Sequence, residues 1–208
     1  MHYASGKTRI SGRISEVIVN EVFKRENTYC ETNCGSNTHT HTQDSNLTLV
    51  SLFCGALSIE TKLVPYFNKI ICNDKQPYLI ALYKAMQDGW VPPDELSVDD
   101  YYYVKNHKDE DPALTGFVGF GCSFGGKWFG GYGRHGVKDK HAQERSMCQE
   151  SKRALLRDMK ILNRAIFTNQ DYRDIILPDK SVVYADPPYK GKMAAFGLRD
   201  EFDTDEFW

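Results

Sequence analysis

Apolar residues at Ile10, Ile14, Val17, Ile18 and Val22 recur at helical spacing and predict an amphipathic helix near the start of the chain. Residues 26–46 break that rhythm: they are polar, rich in Thr, Asn and Ser, and predict a mobile surface loop. The apolar run Leu47–Phe53 then predicts a buried strand, followed by a small-residue turn at Cys54–Ser58 and a helix from Ile59. The unit repeats as a strand at Lys69–Asn73 and a helix at Gln76–Met86, closed by Trp90-Val91-Pro92-Pro93. Residues 92–145 do not repeat it. They begin acidic and tyrosine-rich (Asp99, Asp100, Tyr101, Tyr102, Tyr103) and continue as a glycine–aromatic run from Gly116 to Arg134. Ala142–Arg164 predicts a long helix with Met147, Leu155, Leu156, Met159 and Leu162 on one face, and Ala165–Thr168 a short strand. Val182-Val183-Tyr184 predicts a last buried strand. It must stop at Asp186-Pro187-Pro188, because proline has no N–H for a ladder and restricts the residue before it. Phe202–Trp208 predicts a helix start capped by Asp203 or Thr204.

Strands alternating with helices predict an α/β fold. The 208 residues fit one domain with a small insertion and suffice for a sizeable core. A net charge of −2 gives no global basic field, so nucleic acid would need a local basic patch. The six cysteines are scattered, with Cys54 and Cys72 in apolar runs, which predicts reduced thiols and a cytoplasmic location. No apolar run approaches membrane length, and the first residues show no signal-like apolar region. Cys30, Cys34, His39 and His41 are metal-ligand types, but Cys-x3-Cys and His-x-His lack zinc spacing, so no metal is expected.

The candidate chemistry gathers at strand ends. Asp186 and Tyr189 follow a strand at its carboxyl end, where open α/β sheets bind ligands. A strand, a small-residue turn and a helix start at 47–59 form a nucleotide-binding opening. Asp74 ends the next strand about twenty residues after Phe53, where an acid takes ribose hydroxyls; it also reads as a helix cap. Lys7 is unfavourable at a helix start on dipole grounds and invites another explanation. In the glycine–aromatic run, Lys127, Arg134, His135, Lys138 and Lys140 can meet phosphates, and aromatics such as Trp128 can stack on bases. The alternative is a glycine-rich loop that packs its aromatics on the core.

Asp186-Pro187-Pro188-Tyr189 resembles the catalytic loop of amino-group methyltransferases, most closely the Dam-type N6-adenine DNA methyltransferases and their phage-type members. Three further stretches resemble that family in the family's order. Tyr3, Gly6 and Lys7 match an aromatic-x-Gly-Gly-Lys segment, with Ser5 for the first glycine. Phe53, Gly55 and Ser58 match Phe-x-Gly-x-Gly-Ser, with Leu57 for the second glycine, and Asp74 matches the acid. The resemblance implies a Rossmann-like S-adenosylmethionine-dependent fold, with residues 1–91 and 141–208 catalytic and 92–140 an inserted target-recognition segment. Family members continue past the position of Trp208, so it implies a domain incomplete at its C-terminus.

The methyl donor implied is S-adenosyl-L-methionine, held by Tyr3, Lys7, Phe53, Gly55, Ser58, Asp74, Asp171, Tyr172 and Asp186. Asp171 alternatively caps a short helix. The partner implied is double-stranded DNA with a flipped adenine, contacted by Lys127, Trp128, Arg134, Lys138 and Lys140. The Asp186 carboxylate and a carbonyl of Pro187-Pro188 would hold the two hydrogens of the target amine, and Tyr189 would stack on the extruded base. Other amines (adenine in RNA, cytosine N4, a protein amide) remain open as targets, as does a cofactor- or DNA-binding remnant without turnover.

Overall fold

The computed structural model describes residues 7, 9–27, 46–133, 146–189, 193–198 and 202–207. Tyr3, Arg134, His135, Lys138 and Lys140 lie outside the described residues, as do Cys30, Cys34, His39, His41 and nearly all of the expected loop at 26–46.

Four strands form one parallel sheet: β1 (Thr48–Ser51), β2 (Lys69–Asn73), β3 (Ile166–Thr168) and β4 (Ser181–Tyr184), in the order β3-β2-β1-β4. The chain builds outward from β1 through β2 to β3, then returns to lay β4 on the other side of β1. In register, Ser51 of β1 faces Cys72 of β2 and Tyr184 of β4. The reversal of strand order between β1 and β4 makes their carboxyl ends the topological switch point.

All four residues of β1 are buried, as a central parallel strand requires. β4 lies at the edge of this sheet. Among the described residues it pairs only with β1, it is half-buried, and Val183 is 41% exposed. The apolar run Val182-Val183-Tyr184 reflects one covered side and one pairing edge.

The first helix, α1 (Ser11–Asn27), departs from its expected stripe. Ile14, Ile18, Val19 and Phe23 pack on the core, while Ile10 and Val17 are exposed. Ser11 and Ser15 are buried instead, so the inward face combines apolar residues with small ones. α2 (Glu60–Leu63) and a 3-10 turn at Val64–Tyr66 lead to β2, and α3 (Pro77–Gln87) follows it. Pro77 opens α3 because its missing N–H is not needed there.

Residues 92–133 contain no strand and form a helical layer. α4 (Val98–Asn106) starts on a capping box in which Ser97 and Asp100 bond each other's backbone. α5 (Pro112–Gly116) starts on Asp111 and runs into a π turn at Phe117–Gly121. Gly116 lets α5 touch α3, since a side chain there would overlap the Tyr78 carbonyl. Phe117, Phe120 and Phe129 are core residues, so much of the glycine–aromatic run packs inward. α6 (Met147–Ile161) covers this layer with Cys148, Ser151, Leu155 and Met159, and Leu162 follows; Leu156 faces solvent, contrary to the expected stripe. α7 (Thr204–Phe207) is capped by Asp203, whose carboxylate accepts the N–H groups of Asp205 and Glu206 at 3.0 and 2.9 Å. No helix among the described residues is long and apolar enough to cross a membrane.

Candidate functional site

Three bonds tie Cys54 and Gly55, in the turn after β1, to the end of β2 and to α3. Cys54 donates its N–H to the Asn73 carbonyl at 2.8 Å, and Gly55 donates to Asp74 Oδ2 at 2.9 Å. The Tyr83 hydroxyl donates to the Gly55 carbonyl at 2.6 Å, so this peptide is gripped from both sides. Gly55 has φ 44°, and Leu57 has φ 61°. The second is the left-handed region that favours glycine and costs another residue roughly 1–2 kcal/mol. Leu57 bears that strain because its side chain is buried in the core, 1% exposed and turned away from the pocket beside it. Leu57 therefore keeps a glycine-like backbone and adds a core residue.

Asp74 is buried, and its other oxygen accepts the Gln76 N–H at 2.9 Å. Burial pushes its carboxyl upward, against the pull of the Gln76 and Gly55 N–H groups. The cap of α3 is Gln76, whose side-chain oxygen accepts from Tyr78 N–H at 3.1 Å, so Asp74 is not that cap. Asp74 instead staples two adjacent strand ends together. A carboxylate has about four acceptor positions and this one uses two, which leaves acceptors for a pair of hydroxyls.

Asp171 caps the 3-10 turn Tyr172–Asp174 and also receives Arg173 in a two-pronged ion pair at 2.9 and 3.0 Å. Lys75 adds a contact at 3.0 Å. Arg173 first, and Lys75 after it, hold this carboxyl well below the usual range.

Lys7 lies before α1, and its carbonyl accepts the N–H groups of Ile10 and Ser11 at 2.9 and 2.8 Å. Its ammonium crosses to the end of β4. It donates to the Tyr189 hydroxyl at 2.6 Å, pairs with Asp186 at 3.2 Å, and lies 4.9 Å from the centroid of the Tyr189 ring. The hydrogen bond to Tyr189 and then the Asp186 charge raise its pKa, against partial burial. A carboxylate and an aromatic face turned to one cation form a subsite for positive charge.

These groups surround one pocket at the switch point. Lys7, Phe53, Gly55, Ser58, Asp74, Asp171 and Tyr172 line it, together with Asp186, Pro187, Pro188 and Tyr189. Two sequence candidates within the described residues lie elsewhere. Lys127 is exposed on the helical layer. Trp128 stacks on Tyr78 at 5.4 Å, donates its N–H to the Ala195 carbonyl at 2.9 Å, and is half-buried. Comparison with protein-family models and with curated protein sequences gives no match for this chain.

Among the charged lining residues, Glu60, Lys75, Arg173 and Glu206 escaped the sequence reading. Arg173 had a signal, as a cation two residues from a candidate acid. Glu60 had none, since an acid at a helix start ordinarily faces water. Here it is 1% exposed and accepts the Ser51 hydroxyl at 2.6 Å. Burial raises its pKa from 4.5 to about 7. Between those values the folded protein keeps a proton that the unfolded chain has released. Stability therefore falls as pH rises from about 4.5 to 7, by about 3 kcal/mol, and the loss persists above that range. Glu60→Gln keeps the acceptor for Ser51 and removes the titration. The variant is expected to melt well above the parent at pH 8 and close to it near pH 4, with Asp74 titrating in both. Parallel melting profiles across that range would remove Glu60 as the cause.

Proposed function

We propose that this chain is a Rossmann-like, S-adenosylmethionine-dependent methyltransferase that acts on adenine N6 in DNA. The observation that carries the reading is convergence. Lys7, Phe53-Gly55-Ser58, Asp74, Asp171-Tyr172 and Asp186–Tyr189 come from separate stretches and line one pocket at the switch point.

Each residue has a role that its surroundings permit. The Gly55 turn brings backbone close to a ligand, and Asp74 offers acceptors to ribose hydroxyls. Phe53 and Tyr172 supply flat apolar walls for a purine. S-adenosylmethionine, once bound, supplies a methyl group on a sulfonium that is already a good leaving group. Asp186 and the Pro187 carbonyl would accept the two amine hydrogens of adenine, which would favour a pyramidal nitrogen with a localised lone pair. Tyr189, 58% exposed at the pocket mouth, is placed to stack on an extruded base. Lys7 occupies the same corner and must yield its contact with Asp186 or Tyr189 as the base enters.

Binding tests this reading before turnover does. S-adenosylhomocysteine, titrated calorimetrically into the protein, is expected to bind one per chain and to raise the melting temperature by mass action. Asp74→Ala is expected to weaken that binding at least tenfold, the scale of one lost polar anchor. No binding at millimolar ligand would contradict the proposal.

A further inference from the structure

We propose that the Glu60 carboxyl is the counter-ion for a positively charged group of the ligand in this pocket, an ammonium or a sulfonium. The identity of that ligand, S-adenosylmethionine or a close relative of it, rests on the function proposed above. The placement of Glu60 does not.

Glu60 opens α2, just after the turn that follows β1, and lines the pocket although it is only 1% exposed. Its partners differ from those of the other acids there. Asp171 has Arg173 and Lys75, Asp186 has Lys7, and Glu206 has Arg173. Asp74 and Asp203 each accept two backbone N–H groups. Glu60 accepts the Ser51 hydroxyl at 2.6 Å and, among the described residues, pairs with no lysine or arginine. The N–H groups of Glu60 and Ile59 favour its charged form more weakly than that hydroxyl does.

The titratable groups that face Glu60 from neighbouring elements are neutral or acidic. Cys54 follows β1, Cys72 and Asp74 stand at the end of β2, and Tyr184 closes β4. From α1, which packs on α2, the buried polar residues are Ser11 and Ser15, whereas Arg13, Glu16 and Glu21 are exposed, as is Lys62 of α2 itself. Lys7 lines the same pocket, but Asp186 and Tyr189 engage its ammonium. A buried Ser–Glu pair gains the fold little, because two apolar groups of the same shape serve as well. Its place at the pocket gives it a use. Burial raises the pKa of Glu60 to about 7, so below that pH the free protein holds a neutral acid in the pocket wall. A ligand cation within about 4–6 Å favours the carboxylate and brings that value back down by roughly 1–3. Little water reaches the carboxyl, so the attraction is weakly screened. The ligand's charge thus meets a partner that its own binding creates, and the proton passes to the buffer.

The test is proton release on binding, measured calorimetrically in buffers of different ionisation enthalpy. The ligands are S-adenosylmethionine (ammonium and sulfonium), S-adenosylhomocysteine (ammonium alone) and methylthioadenosine (neither). At pH 6 about nine-tenths of the free protein keeps the Glu60 proton. Binding of a charged ligand is expected to release about 0.5–1 proton at that pH, and to be roughly four- to tenfold tighter at pH 7 than at pH 5.5. That range lies below the loss of charge from an α-amino group. Methylthioadenosine is expected to release none. Glu60→Gln keeps the bond to Ser51 and is expected to abolish both the release and the pH dependence. Release with S-adenosylhomocysteine assigns the ammonium as the partner, and release with S-adenosylmethionine alone assigns the sulfonium. Charged ligands that release no more than methylthioadenosine, or a release that survives in Glu60→Gln, would overturn the proposal and leave the methyltransferase reading in place. If Glu60→Gln does not fold, the comparison of charged with uncharged ligands on the parent decides. Proton release without methyl transfer to DNA would leave Glu60 as the counter-ion and remove the methyltransferase reading. Failure of all three ligands to bind would overturn both.

Discussion

Asp186→Ala is expected to lower methyl transfer about 10²- to 10³-fold, the scale for losing one preorganised group that meets charge in a transition state, and to leave the fold intact. The carboxylate stands at the end of β4 beside Tyr189 and holds the Lys7 ammonium at 3.2 Å. On the proposed function, the target amine would then keep only a carbonyl acceptor, and its lone pair would stay delocalised into the ring. The structural loss is small, because an ion pair that remains partly in water contributes about 0–1 kcal/mol. Lys7 also retains its hydrogen bond to Tyr189. Initial rates with labelled S-adenosylmethionine at saturating cofactor, together with cooperative melting, check both halves. A variant that melts normally and transfers methyl within threefold of the parent would take Asp186 out of the mechanism.

Trp128→Ala is expected to destabilise the fold by roughly 3–5 kcal/mol, the range for deleting a packed aromatic ring. The indole stacks on Tyr78 and meets Phe120 and Phe129 at 4.9 and 4.8 Å. It is slotted between Gly119 and Gly197, where an added side chain would run into the ring. Chemical denaturation measures this directly. Lys127→Ala, one residue away, is expected to leave stability unchanged. If this surface meets DNA, that change should reduce the slope of log affinity against log salt by about one phosphate contact. A Trp128→Ala protein as stable as the parent would return that ring to the list of free stacking surfaces. An unaltered salt slope for Lys127→Ala would place the DNA elsewhere.

The strands β1, β2 and β3 were legible because each is a short apolar run bounded by turn residues, and Asp74, Asp171 and Asp186 were legible because strand runs stop abruptly just before them. Less could be read where the deciding partner is distant in sequence. The inward face of α1 was misplaced because close approach buries Ser11 and Ser15, which a count of apolar residues passes over. The apolar residues of β4 fit a buried strand and an exposed edge alike, and its place at the edge depends on its neighbours. Leu57 looked like the loss of a needed glycine, whereas its backbone keeps the left-handed geometry and its side chain takes a core position. The glycine–aromatic run offered both stacking and packing, and the burial of Phe117, Phe120 and Phe129, with Trp128 set between two glycines, shows how much of it is packing. Glu60 gave no sign, since its burial is set by the strand ends around it.

Incubating the protein with tritium-labelled S-adenosylmethionine and unmethylated double-stranded DNA, then digesting the DNA to nucleosides, tests the central claim most directly. The account predicts label in N6-methyldeoxyadenosine and its near-complete loss with Asp186→Ala. Label in any other nucleoside, or none in the DNA while S-adenosylhomocysteine still binds, would contradict it.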